Sequence, residues 1–502
     1  MSQDSIDVLI VGGGSAGAVL ATRLSENSAR SVVLLEAGKT PPPYDYPRLI
    51  SSSDTVGANL DPNFEWGFKT ELGGYIDHPI NAIRGKILGG SSAVNGAVAL
   101  RARPEDFKRW NLEGWSYEDM LPFYKKMETR HGTGRDEIHG KTGPFPIVQL
   151  TLDDVSTMQK AFIESTNQLG YSIIEDFDDV NAHGVGPYAM NVVNGVRVNT
   201  GIAYLTESVR ARQNLTIRHD MLVDKVLFDG KKAIGVQLAN GEQIFAGEVI
   251  LCAGTYGSAA ILLRSGVGPK ADAERLNIPV VADLPVGKHL IDHPFYYNAY
   301  AAKPELIGLQ SPAIGAKLWT HSNSANNGEL DIHITATHLF PHELSPTKVG
   351  FVLAVALTRP ESIGRVWIES TDPKVAPKIN LNFLALEQDR QRLLDGIKLA
   401  RKIAQQAPLS DLIHSELAPV SDDDEVILAS ARATLDTYHH PCSSAPMGLT
   451  SDPKAVVDLQ GRVHGLIGLR VVDASIFPDV PSVATNPTVI ATAEHIAQRH
   501  FN

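Results

Sequence analysis

Asp7-Val-Leu-Ile-Val-Gly-Gly-Gly-Ser-Ala-Gly17 runs an apolar strand straight into a glycine turn and the first residues of a helix. The glycines have separate physical tasks. Gly12 lets the chain turn tightly, Gly14 lets backbone N–H groups approach a pyrophosphate, and Gly17 lets the helix pack close to its strand. The helix N-terminus supplies partial positive charge to the phosphates. A second apolar strand, Ser31-Val-Val-Leu-Leu-Glu36, ends in a carboxylate about 20 residues beyond Gly17. At that position Glu36 can accept hydrogen bonds from the hydroxyls of an adenosine ribose, which favours FAD or NAD over NADP. Glycines alone would make an ordinary turn; strand, turn, helix and spaced acid in register predict a dinucleotide cradle.

The rest of the 502-residue chain is longer than one hydrophobic core usually spans, so two domains are expected. An apolar share of 43% and a charged share of 20%, with 42 Gly and 30 Pro, describe a loop-rich globular α/β enzyme. A net charge of −12 disfavours nucleic-acid or acidic-membrane partners. Cys252 and Cys442 lie far apart and form no CxxC pair, which fits a reducing cytoplasm and argues against a disulfide framework or zinc knot. The first strand begins too early for a signal peptide, and no apolar run approaches the roughly 18 residues of a membrane helix. No metal site is expected, because the 17 histidines show no HxH or HExxH spacing and Pro341 separates His338 from His342.

Further elements can be placed by pattern. Ser116 to Met127 opens with a Ser N-cap and an Asp at the third helical position. Lys225-Val-Leu-Phe and Ala233-Ile-Gly-Val-Gln-Leu, joined through Asp229-Gly230, read as a hairpin, and Glu248 to Gly254 as a buried strand ending in glycine. Leu330 to Thr337 and Gly350 to Leu357 read as strands of a separate sheet, followed by a helix over Glu387 to Gln406.

Four more segments narrow the reading: LGGSSAVNG (88–96), GTYGSAAILLRSGVGP (254–269), VGKHLIDHP (286–294), and HPCSSAPMG followed by VVDASIFP (440–478). In order and spacing they resemble the glucose–methanol–choline (GMC) oxidoreductases over the whole chain. The resemblance implies an α/β protein, α+β overall: a Rossmann-like FAD-binding domain with an inserted substrate domain of antiparallel sheet and helices. Residues 1–150, 195–295 and 437–502 would form the first, 151–194 and 296–436 the second. It implies oxidation of an alcohol CH–OH by hydride transfer to flavin N5, with a small-molecule alcohol and O₂ or another electron acceptor as partners. The His439-His440-Pro441 run resembles the pyridoxine 4-oxidase branch, whose arrangement is His-x-His-Pro, with Tyr438 at the first position here.

The resemblance also assigns residues. Gly12, Gly14, Ser15, Ala16, Gly17, Glu36 and Ala37 would cradle the adenosine and pyrophosphate. Arg84, Gly89, Gly90, Ser92, Asn95, Gly96 and Ala97 belong to the stretch that wraps isoalloxazine and pyrophosphate. Val223 would hold adenine by its backbone, and Ala253, Gly254, Asp473, Ala474, Asn486 and Pro487 would complete the cofactor site. Val94 stands where some relatives attach FAD through a His, so noncovalent FAD is expected.

Chemistry selects the base. An alcohol carbon surrenders hydride only as its oxygen sheds a proton, and a neutral imidazole suits that task at cytoplasmic pH. His440, in the His-Pro motif, is the expected base. His439 would then face elsewhere by strand alternation, while Tyr438 would share the face of His440 and position the substrate. The second His or Asn of most relatives is replaced by Ala484. Either His440 works with Tyr438 alone or Asn486, two residues on, has taken over. Asp292-His293-Pro294 is expected to brace a turn, and His333 and His338 either line the pocket or are solvated or satisfied histidines. Cys252 reads as core and Cys442 as a small buried thiol. Two other functions remain open: flavin-dependent lyase or decarboxylase chemistry, and a flavin-binding protein that has lost catalysis.

Overall fold

The computed structural model describes residues 6–500. The opening strand, Ile6–Val11, lies in the middle of a mostly parallel sheet, between Val32–Leu35 and Gln243–Leu251. Leu215–Arg218 extends the parallel order beyond Val32–Leu35, and Leu469–Val471 joins beside Gln243–Leu251. The expected hairpin is present as Val223–Asp229 and Lys232–Leu238, antiparallel to each other and to the start of Gln243–Leu251.

The glycine turn behaves as its sequence requires. Gly12 has φ of +98°, and an added Cβ on Gly17 would collide with the Gly12 carbonyl, so only glycine lets the helix Ser15–Leu24 sit this close to its strand. Ala18, Val19, Leu20 and Ala21 are buried beneath it. The C-terminal helix Thr485–His500 is pinned to this first helix through Glu494, whose fully buried carboxylate takes a bidentate pair from Arg23 at 2.8–2.9 Å. The expected helix at Ser116 runs Tyr117–Met127, with a reciprocal capping box in which Ser116 Oγ accepts from the Asp119 N–H at 3.1 Å.

The second sheet is antiparallel throughout, in the order Ile413–Ala418, Pro294–Ala302, Gly350–Leu357, Ile332–Thr337, Ile314–Thr320 and Gly184–Pro187. Gly350–Leu357 is buried end to end, which explains why its sequence is continuously apolar. The helix Glu387–Ala404 packs on this sheet through Leu393, Leu394, Ile397, Ala400 and Ile403, at the spacing of one helical face. Two expected boundaries fall inside paired strands of this sheet: 295/296 lies within Pro294–Ala302 and 436/437 within Asp436–Thr437, which pairs with Pro294 and Phe295. Local punctuation in the sequence does not reveal strand pairing over that distance. Among the described residues no helix is long and apolar enough to cross a membrane.

Candidate active site

A cavity of about 710 Å³ runs from the glycine turn to the face of the antiparallel sheet. Its first end is backbone. Gly12, Gly14, Ser15 and Ala16 line it, and Gly90, with φ of +53°, approaches so closely that an added Cβ would stand 2.7 Å from the Gly14 Cα. Glu36, 5% exposed, accepts the Gly13 N–H at 2.9 Å through Oε2 and the Gly38 N–H at 2.8 Å through Oε1. Burial raises its carboxyl above the usual range, with those two N–H groups pulling the other way. Asp473 ties together the opposite wall, accepting from the Gly254 N–H at 2.9 Å and the Ser258 hydroxyl at 2.6 Å. Asn486 accepts the Ser15 hydroxyl at 2.6 Å, while its Nδ2 is buried with no protein partner.

Ala37, Arg84, Asn95, Gly96, Val223, Ala253, Gly254 and Ala474 also line the cavity. Gly17, Gly89, Ser92, Ala97 and Pro487 do not, and four of these five have a visible structural duty. Gly17 sets helix packing. Gly89, with φ of +95°, donates its N–H to Gly13 O at 2.7 Å, and Ser92 Oγ donates to Gly89 O at 2.6 Å. Ala97, with φ of +56°, is held by Asn95 Oδ1 at 2.9 Å. They shape the loop from behind the lining.

The other end is aromatic and carries the catalytic candidates. Pairing of Pro294 and Phe295 with Asp436–Thr437 carries the two chain segments on alongside each other, and the Tyr438 N–H donates to His293 O at 2.9 Å. Tyr438 stacks on Phe295 at 4.3 Å and meets the His440 ring at 4.5 Å between centroids, as expected for residues sharing a face. Its hydroxyl lies 3.3 Å from Thr335 Oγ1 and 3.4 Å from Tyr188 OH. His439 departs from the expectation. It has φ of +63°, which breaks strand alternation, so His439 and His440 both line the cavity. The Arg84 guanidinium fixes that kink by donating to His439 O at 2.7 Å.

Asp292 braces the turn as expected: Oδ1 accepts the N–H groups of His293 at 2.7 Å and His440 at 2.8 Å, and Oδ2 accepts the Thr437 hydroxyl at 2.6 Å. His293 does more than the sequence suggested, because its Nδ1 lies 3.0 Å from Nδ1 of His440. Burial pushes His440 well below the ordinary imidazole value, with His293, Arg84 and His439 acting in the same direction, and burial takes His293 down to about 3. Both rings are therefore neutral at pH 7. His333 lines the cavity, fully buried, with Nε2 3.5 Å from Lys317 Nζ, whereas His338 pairs through Nε2 with Ser156 Oγ at 2.8 Å and stands outside the lining. Cys252 is 5% exposed yet reaches the cavity wall, and Cys442 is fully buried away from it. Tyr188 and Thr335 were missed by the sequence reading. The signal for Thr335 was polar residues at alternate positions, 333, 335 and 337, in an otherwise apolar strand.

Family profiles described as GMC oxidoreductase match residues 6–295 and residues 360–493. The chain belongs to the GMC oxidoreductase family. An oxygen-dependent choline dehydrogenase from Pectobacterium carotovorum subsp. carotovorum is 38% identical over 536 aligned positions, covering 98% of this chain and 94% of the relative. The crystal structure of pyridoxine 4-oxidase from Mesorbium loti superposes with a TM-score of 0.90 at 31% identity, covering 98% of this chain and 99% of that one. A formate oxidase from Aspergillus oryzae RIB40 shares the fold with a TM-score of 0.89 at 24% identity, over 99% of this chain and 98% of its own. As a GMC member the protein is an FAD-dependent alcohol oxidoreductase, and the residues present fit that cofactor. The backbone cradle has no room for a Cβ at Gly12 or Gly90, Glu36 stands where a ribose carboxylate partner belongs, and the orphaned Asn486 Nδ2 offers a donor.

Proposed function

We propose that the protein dehydrogenates a primary alcohol held against the aromatic wall, with His440 as the base that takes the hydroxyl proton. The observation that carries this reading is the neutral His440 imidazole at the cavity surface, where no described residue hydrogen-bonds its Nε2. Bound FAD would supply the acceptor for the hydride of the carbinol carbon. His440 Nε2 draws off the hydroxyl proton so that the oxygen's electrons can form the carbonyl. Tyr438 aims its hydroxyl at the alcohol oxygen, and Tyr188 and Thr335 hold that hydroxyl in place. Asn486, tied to Ser15 in the glycine turn, serves the cofactor rather than the base, which supports one histidine working with Tyr438 in place of a pair.

Gly12, Gly14, Ser15 and Ala16 would hold the pyrophosphate, Glu36 and Val223 the adenosine, and Gly90, Asn95 and Gly96 the isoalloxazine. Val94 has no nucleophile, so these contacts are noncovalent. In this division of labour, the parallel sheet and the loops around its glycine turn bind FAD while the antiparallel sheet presents the alcohol. Two free, buried thiols suit a reducing cytoplasm.

The substrate wall of Phe295, Tyr297, Tyr188 and Tyr438 suits either a flat ring or a cation over aromatic faces. Pyridoxine and choline, the compounds named for the relatives, head the test, with sugars and aliphatic alcohols as further arms. Anaerobic bleaching near ~450 nm by at least one class, with reoxidation by O₂ or a quinone, is expected. A yellow holoenzyme that no alcohol class reduces would overturn the reading.

A further inference from the structure

We infer that His293 is a positioning residue for the reaction: it accepts the Nδ1–H of His440 and so holds the catalytic imidazole in the one neutral tautomer whose Nε2 is free to take a proton. This rests on the reading of His440 as the base. The two Nδ1 atoms are 3.0 Å apart with the rings at 85°, and His293 is completely buried. Only one hydrogen fits between two imidazole nitrogens, so one ring donates and the other accepts.

The reading of His440 as the base decides which. A base needs a free lone pair on the nitrogen that faces the cavity, Nε2, so His440 carries its hydrogen on Nδ1 and His293 Nδ1 is the acceptor. The hydrogen of the neutral His293 ring then sits on Nε2, which is buried with no hydrogen-bond partner among the described residues. The same contact serves the next moment. When the alcohol proton arrives on Nε2, the resulting imidazolium keeps its Nδ1–H on the His293 lone pair, in a site whose burial otherwise disfavours that charge. Asp292 fixes both partners, since its Oδ1 accepts the backbone N–H of each. The arrangement resembles the orienting carboxylate of a hydrolase triad in logic, with a neutral ring in the orienting role.

The test uses His293→Asn and His293→Leu holoenzymes. The amide Oδ1 of Asn occupies the place of Nδ1 and accepts the same hydrogen; Leu does not. Expected is a loss of about 100-fold in the rate constant for flavin reduction in His293→Leu, with substrate affinity and flavin content unchanged, and recovery to within about 10-fold of wild type in His293→Asn. Nitrogen NMR of ¹⁵N-histidine-labelled holoenzyme, with the His440 signal assigned by its loss in His440→Ala, should show the hydrogen on Nδ1 in the wild type. Equal rates in the two variants, or the hydrogen on Nε2 of wild-type His440, would overturn the inference. Full activity of His440→Ala would instead sink the reading of the base, leaving the tautomer measurement still readable.

Discussion

Gly90→Ala tests how the two backbone loops make the cofactor site. The substitution does two things that can be separated. It places a Cβ on a residue with φ of +53°, and it aims that Cβ at the Gly14 Cα from 2.7 Å, well inside ordinary van der Waals contact. The backbone strain costs about 1 kcal/mol with or without cofactor. The collision forces the Gly90 loop and the glycine turn apart by about 1 Å, an overpacking cost of about 1–3 kcal/mol that falls on the surface FAD occupies. Gly230→Ala supplies the control: Gly230 has φ of +57° in the hairpin turn, nothing within 4 Å of its new Cβ, and no place in the cavity lining. Gly230→Ala should therefore lose about 1 kcal/mol of stability by denaturant unfolding, and Gly90→Ala about 2–4 kcal/mol, strain and collision together. Only Gly90→Ala should also weaken FAD, raising its Kd by about 10- to 100-fold, read from flavin fluorescence on serial dilution of holoenzyme. Unchanged FAD affinity in Gly90→Ala, or equal weakening in the control, would refute the idea that close backbone approach builds the site.

Two further outcomes follow from the same geometry. Burial raises Asp292 to about 6, above the roughly 4 of an unfolded carboxyl, so the fold holds this proton more tightly. Its contribution to stability is full below about pH 4 and is lost as pH rises through 6, amounting to about 3 kcal/mol. Asp292→Asn keeps an Oδ1 for both backbone N–H groups and removes the titration, so urea unfolding at pH 4 and pH 7 should show the variant gaining about 2 kcal/mol on wild type between them; a pH-independent difference would contradict this. Acid precipitation should release all of the yellow chromophore into the supernatant, because the buried Val94 offers no atom for attachment; flavin retained in the pellet would refute it.

What the sequence disclosed follows from how local each requirement is. The cradle was legible because Gly12 and Gly17 answer to constraints within one strand–turn–helix, and the capping box at Ser116 closes within four residues. The shared face of His440 and Tyr438 was legible because they stand two residues apart in one short segment. The His293 contact was not, since it joins residues 147 apart through a strand pairing that no local pattern announces. Alternation misplaced His439 because a left-handed residue interrupts the extended chain at that point, held there by Arg84 from a distant loop. The cofactor assignments to Gly89, Ser92 and Ala97 landed in the right loop but behind its surface, because a motif locates a segment without telling which of its residues face inward.

The role proposed for His440 is to remove the proton from the alcohol as the carbon is oxidised. Anaerobic single-turnover reduction of the flavin in wild type and His440→Ala, with the best alcohol from the screen, addresses it most directly. His440→Ala should remain yellow, bind the alcohol with similar affinity, and be reduced at least about 100-fold more slowly. Reduction at the wild-type rate would contradict it.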